Sequence, residues 1–91
     1  MIETSRHWEN GNLYRFRVAV PELINVKDMH ERIIWADQYW HHPSRPGYTI
    51  HREESRTHAW RGRPQSEGVT YFYFRRYPDA MSYLLRWGGL T

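Results

Sequence analysis

Arginine and tyrosine alternate on two segments of this chain so that they fall on a common surface. Leu13 to Val20 reads as a strand with Tyr14, Phe16, Val18 and Val20 on one side. Leu13, Arg15, Arg17 and Ala19 point to the other side. Val69 to Tyr77 is almost wholly β-branched or aromatic, with Phe72 and Phe74 on one side and Tyr71 and Tyr73 on the other. With the phenylalanine sides toward a core, Arg15, Arg17, Tyr71 and Tyr73 share the opposite face. Such a face has three readings. It is a solvated sheet surface, a protein interface, or a platform that stacks bases and clamps phosphates of a single strand.

Histidine and tryptophan supply two further candidates. His30, Ile34, Asp37 and His41 lie on adjacent turns of one helical flank, and His42 follows. His30 and Asp37 are two turns apart, about 10 Å along the axis, too far for one metal ion. Asp37 and His41 are a possible i, i+4 pair, whose ordinary reading is helix-end electrostatics. His51 and His58 are able to join the helix histidines as a metal-free acid–base pair of the ribonuclease type. Trp35 projects well over 100° from the mean of the helix's apolar stripe, near Asp28, Glu31 and Gln38. It is therefore either a contact residue for a protein partner or covered by a neighbouring segment. Neither a phosphate-cradling glycine loop, a serine elbow nor a paired-carboxylate cleft is present.

Composition narrows the classes. The 91 residues make one domain, 1–91, and the 40% hydrophobic and 16% aromatic content argues for a packed globule rather than disorder. Cysteine is absent, which removes disulfides, thiolate metal sites and cysteine nucleophiles. No apolar run approaches a membrane span, and the first residues have no signal-peptide core, so a mature start and a cytoplasmic location are expected. The net charge is only +3, too small to argue nucleic-acid binding by itself. Within that total Lys27 is the sole lysine, and the other twelve cations are arginine. Arginine forks onto anions and stacks on rings, so with five Trp and seven Tyr this is a contact-surface composition. A GC-rich genome, which favours Arg codons, gives the same bias.

The elements that must position these residues follow from periodicity. Asn10-Gly11 lies between two strands, Ile2 to Trp8 and Leu13 to Val20, and marks a tight hairpin. Residues 25–40 form a helix capped by Asn25, with Val26, Met29, Ile33, Ala36 and Trp40 as its buried stripe. Residues 41–47 are a rigid loop, and 48–63 are either one long strand or a short hairpin. Residues 62–68 read as turn. After the strand 69–77, Pro78 and Asp79 open a second helix whose stripe is Ala80, Tyr83, Leu84 and Trp87. The expectation is an α+β domain of order ββαββα, with a four-stranded, mostly antiparallel sheet and both helices on one face. Its core sets Tyr14, Phe16, Val18, Phe72 and Phe74 against Met29, Ile33, Trp40, Leu84 and Trp87.

From Tyr71-Phe72-Tyr73-Phe74 through Pro78-Asp79-Ala80-Met81 to Leu84-Leu85-Arg86-Trp87-Gly88, the chain resembles the C-terminal ends of small uncharacterised bacteriophage proteins. That resemblance implies a short accessory protein that acts by binding, such as a host-directed inhibitor, an anti-defence factor or a minor virion component, working in the host cytoplasm. The sequence-level expectation is thus a non-enzymatic binding protein with no cofactor, no metal and no membrane contact. Its partner is a protein or a second copy, reached through Trp35, Arg15, Arg17, Tyr71 and Tyr73. Single-stranded nucleic acid on the sheet face is the alternative, and a small metal-independent nuclease the third reading.

Overall fold

A computed structural model describes residues 1–42, 45–56 and 66–88. The elements run β1 (Ile2–Glu9), β2 (Asn12–Ala19), α1 (Val26–Trp40), β3 (Tyr48–Arg56), β4 (Ser66–Phe74) and α2 (Tyr77–Trp87). The strands make one sheet of order β1-β2-β4-β3, antiparallel at every pairing. Because β4 separates β2 from β3, α1 carries the chain past one strand, from β2 to a β3 that runs parallel to it.

Local chemistry sets the ends of the elements. Asn10 and Gly11 take φ of 50° and 79°, the left-handed pair that a two-residue hairpin turn requires. Asn25 Oδ1 accepts from the Asp28 amide at 2.7 Å, capping α1 as its sequence predicts. Gly47 closes the far end of α1, donating to the Trp40 carbonyl at 2.8 Å. A side chain there would place Cβ 2.9 Å from Trp40 Cβ, so glycine lets the loop lie flat on the indole. Residues 48–56 are one strand, paired throughout with 66–74. Residues 57–63 lie outside the described part of that segment, and β4 begins at Ser66, inside the stretch read as turn.

Both helices pack on the Phe72 and Phe74 side. The core there is Val18, Val20, Ala36, Phe72, Phe74, Ala80 and Tyr83, with Phe16, Met29, Ile33, Trp40, Leu84 and Trp87 half-buried around it. Ala36 and Ala80 are fully buried, and these small residues leave room for the rings between helix and sheet. Tyr83 stacks on Phe72 at 4.6 Å and lies 5.4 Å from Phe74. Such aromatic pairs add about 0.5–1.5 kcal/mol each beyond their buried area.

Tyr14 departs from the expected core. It is buried, yet its ring lies 6.2 Å from His7 and its hydroxyl donates to the Pro46 carbonyl at 3.0 Å. The reason is that β2 runs beside β4 only from Phe16 to Ala19. Before Phe16 the strand leaves its neighbour, and alternation no longer tells which side a residue takes. In the same region the β1–β2 pairing shifts register between Thr4 and His7, the mark of a bulge. Together these let the hairpin tip curl over the sheet.

Candidate functional site

The sheet face away from the helices is concave rather than bare. β1 and β3 are its two edges, about 14 Å apart in a flat four-stranded sheet. Here the His7 and His51 rings approach to 5.0 Å, and Thr49 of β3 donates a hydrogen bond to Glu9 of β1. The curl closes over Tyr73, which is 0% exposed. A base has no open ring to stack on there, which corrects the picture of Tyr73 as an exposed contact.

The strand register assembles the rest. Arg17 is opposite Glu3 on one side and Tyr73 on the other, and His51 is opposite Tyr71. The Arg17 guanidinium lies 4.0 Å from the centre of the Tyr71 ring. Its Nε donates to Glu3 at 3.1 Å, and its Nη1 donates to Glu53 at 2.9 Å. The Tyr73 hydroxyl donates to the second Glu53 oxygen at 2.5 Å. Two donors therefore fix Glu53. The hydrogen bond from Tyr73, and then Arg17, hold its carboxyl below the usual range against a smaller opposing effect of burial. Burial, and then the bond to Glu53, push the Tyr73 phenol up to about 12.

His7 stacks on Tyr73 at 4.4 Å, nearly parallel. Its Nε2 is buried without a hydrogen-bond partner and lies 3.6 Å from Glu9 Oε1, within ion-pair distance of the protonated ring. Beside it opens a polar depression of about 260 Å³, walled by Thr4, Ser5, Arg6 and His7 and floored by Arg17, Glu53 and Tyr73. Arg17, Tyr71 and Tyr73 thus come together as alternation indicates. Arg15 does not join them. It is exposed and makes no hydrogen bond or ion pair among the described residues.

Trp35 lies on the other side of the molecule, half-buried and not free-standing. Its ring is 5.1 Å from both Tyr39 and Trp40 and 6.1 Å from Trp87. One side of it lines a groove of about 250 Å³ between α1 and α2, with Glu31, Ile34 and Gln38 on one wall and Arg86 and Trp87 on the other. Ile34, which lines this groove, is 48% exposed and Tyr39, packed on Trp35, is 65% exposed, so large apolar side chains reach solvent there.

The histidine readings sort themselves differently. Asp37 accepts from the Tyr48 hydroxyl at 2.5 Å, which gives it a partner on β3. His30 and His41 are exposed, and His51 meets His7 instead of the helix histidines. His58 lies outside the described residues. Among the described residues no three His, Asp or Glu side chains are placed to hold a metal, and no helix is long and apolar enough to cross a membrane.

Glu3, Glu53 and His7 are the site residues that periodicity alone did not single out. Counting back from the Asn10-Gly11 turn puts Glu3 opposite Val18. The bulge moves it by one residue, to Arg17. Glu53 carries a weak signal, a carboxylate two residues from His51 on a strand polar on both faces. No protein-family model, curated protein or solved structure matches this chain.

Proposed function

We propose that this chain is a short accessory protein of the bacteriophage type that works by protein–protein contact through the groove between α1 and α2. The observation that carries the reading is the exposed Ile34 beside Trp35 and Trp87 in that groove, with the exposed Tyr39 packed on Trp35 at its side. Large apolar side chains and tryptophan clustered at a concave surface are the usual anchors of an interface. The sheet face is the weaker contact surface. Arg17 already spends its fork on Glu3 and Glu53, so a phosphate must displace two carboxylates to reach it.

The occupant that fits is a second copy. The groove has Glu31 on its α1 wall and Arg86 on its α2 wall. A two-fold axis running along the groove sets α1 of one copy against α2 of the other. Glu31 then faces Arg86 twice, which is the self-complementarity an isologous interface needs. Sedimentation velocity across a wide concentration range tests this. The expected result is a dimer that Ile34→Glu dissociates. Glu31→Arg and Arg86→Glu each weaken it, and the double exchange restores it. A wild-type chain that stays monomeric, or a dimer indifferent to all four variants, overturns the self-pairing.

A further inference from the structure

The concave face holds an arrangement that contact with a partner does not use. His51 is exposed on β3 and His7 comes from the opposite sheet edge, their rings 5.0 Å apart. Two residues along β3 from His51, Glu53 is fixed by the Tyr73 hydroxyl and by Arg17. His7 is held by its stack on Tyr73 and has the Glu9 carboxylate 3.6 Å from Nε2. Holding these groups together requires both the bulge in β1 and the departure of β2 from β4. The polar depression next to them is lined by the hydroxyls of Thr4, Ser5 and Tyr73, by Arg6 and Arg17, and by the Glu53 carboxylate.

From this geometry we infer that the His7–His51 cleft is an acid–base site for cleaving single-stranded RNA by internal transesterification. The inference goes beyond partner binding and gives the sheet face a chemistry of its own, in place of the non-enzymatic expectation. Imidazole is the side chain that most readily takes and gives protons near neutral pH, and a neighbouring pair supplies both a base and an acid. RNA is the substrate that needs nothing more from a protein, because its 2′-hydroxyl is the nucleophile. His51, the exposed ring, takes the 2′-hydroxyl proton as that oxygen bonds to phosphorus. The bond from phosphorus to the 5′-oxygen breaks, and protonated His7 gives its Nδ1 proton to the leaving oxygen, Nε2 being buried toward Glu9. The products are a 2′,3′-cyclic phosphate and a 5′-hydroxyl, and the two imidazoles end with exchanged protonation states. Arg6 at the wall offers the phosphate a cation. Tyr73 is a positioning residue that carries the His7 ring, and Glu53, itself held by Arg17, fixes the Tyr73 hydroxyl.

A labelled DNA oligonucleotide carrying a single ribose, incubated with the full chain in a chelating buffer, provides the test. The expected result is a cut 3′ of the ribose only, leaving a cyclic phosphate, with a bell-shaped pH–rate profile. His51→Gln changes an exposed side chain and is expected to leave the circular dichroism unchanged. It is expected to lower the rate by about 100-fold or more, the usual weight of one acid–base group. Glu53→Gln is expected to shift the pH profile as well as lower the rate, which a purely structural role does not do. An intact probe at every pH, or cleavage that His51→Gln leaves unchanged, overturns the proposal.

Discussion

Tyr73 and Tyr83 are both 0% exposed, one on each side of the same sheet, and they are sealed in by different means. Tyr83 is enclosed by rings. Phe72, Phe74 and Trp35 surround it at 4.6, 5.4 and 6.5 Å, and its hydroxyl accepts from Arg32 at 2.9 Å. Tyr73 is enclosed by titratable groups. His7 stacks on it, His51 stands 6.5 Å away, and Glu53 takes its hydroxyl proton in a hydrogen bond. Consecutive residues of one strand, Phe72 and Tyr73, therefore open onto two kinds of interior. The helix side is held mainly by shape and dispersion, which depend on neither acid nor salt. The concave side is held by a satisfied polar network, strong only while every member keeps its charge and its partner.

The largest expected effect is on the helix side. Phe72→Ala removes a ring packed between Tyr83 and Tyr48 and is expected to cost about 3–5 kcal/mol in urea unfolding. Salt should not change that loss. On the concave side Arg17→Ala strands Glu3 and Glu53 against each other and uncovers Tyr71, at an expected cost of about 1–3 kcal/mol. Here the loss should shrink as ionic strength rises, since both carboxylates are partly exposed. Equal salt dependence for the two variants would abolish the distinction between the two interiors.

How far the sequence foretold this division depends on where the strands run together. Between Phe16 and Ala19, β2 lies beside β4, and there alternation places Phe16 and Val18 with Phe72 and Phe74, and Arg17 with Tyr71 and Tyr73. The Asn10-Gly11 turn, the Asn25 cap and the two helix stripes are local signals, and the elements they mark are where they were read. The exception is Val26, read into the buried stripe of α1, which is 87% exposed in the first turn. The failures are non-local. A bulge between Thr4 and His7 slips β1 by one residue, and no residue type in that stretch announces it. The coil of the hairpin then carries His7 across the sheet to His51, a contact between residues 44 apart in sequence that no period encodes. Trp35 falls between its two readings, contact residue and covered residue, for a related reason. A helical wheel measures angle from the apolar stripe, but Tyr39, Trp40 and Trp87 are bulky enough to reach around the helix and half-cover it.

Acid should separate the two interiors, and alkali should not. The Glu53 carboxyl titrates lower in the folded chain than its ordinary value of 4.5. The unfolded chain therefore binds that proton more readily, and the stabilisation is present above the ordinary value and lost as pH falls through the folded one. Urea midpoints measured from pH 6 down to pH 3 are expected to fall for the wild type and to fall less for Glu53→Gln. Phe72→Ala should keep the wild-type acid slope. Tyr73, raised to about 12, and Tyr83, raised by burial, both hold their protons longer when folded. Their contribution is complete below the ordinary phenol value of 10 and is lost as pH climbs through the raised ones, so alkali weakens both sides together. Tyrosinate absorbance that rises late and coincides with loss of circular dichroism would show this.

The smallest expected effect is the one that isolates the geometry. Arg15 and Arg17 have the same side chain, sit two positions apart on β2, and by alternation belong to one face. Arg17 lies where β2 is paired with β4, opposite Tyr73, and so meets Glu3, Glu53 and Tyr71. Arg15 lies just before that pairing begins and is exposed. Arg15→Ala is therefore expected to change stability by less than about 0.5 kcal/mol, the ordinary range for a surface site without partners. The difference between the two variants measures what the β2–β4 register contributes, with side-chain type held constant. If Arg15→Ala cost as much as Arg17→Ala, the sheet would have to continue flat past Phe16. His7 could not then reach His51, and the cleft itself would be lost.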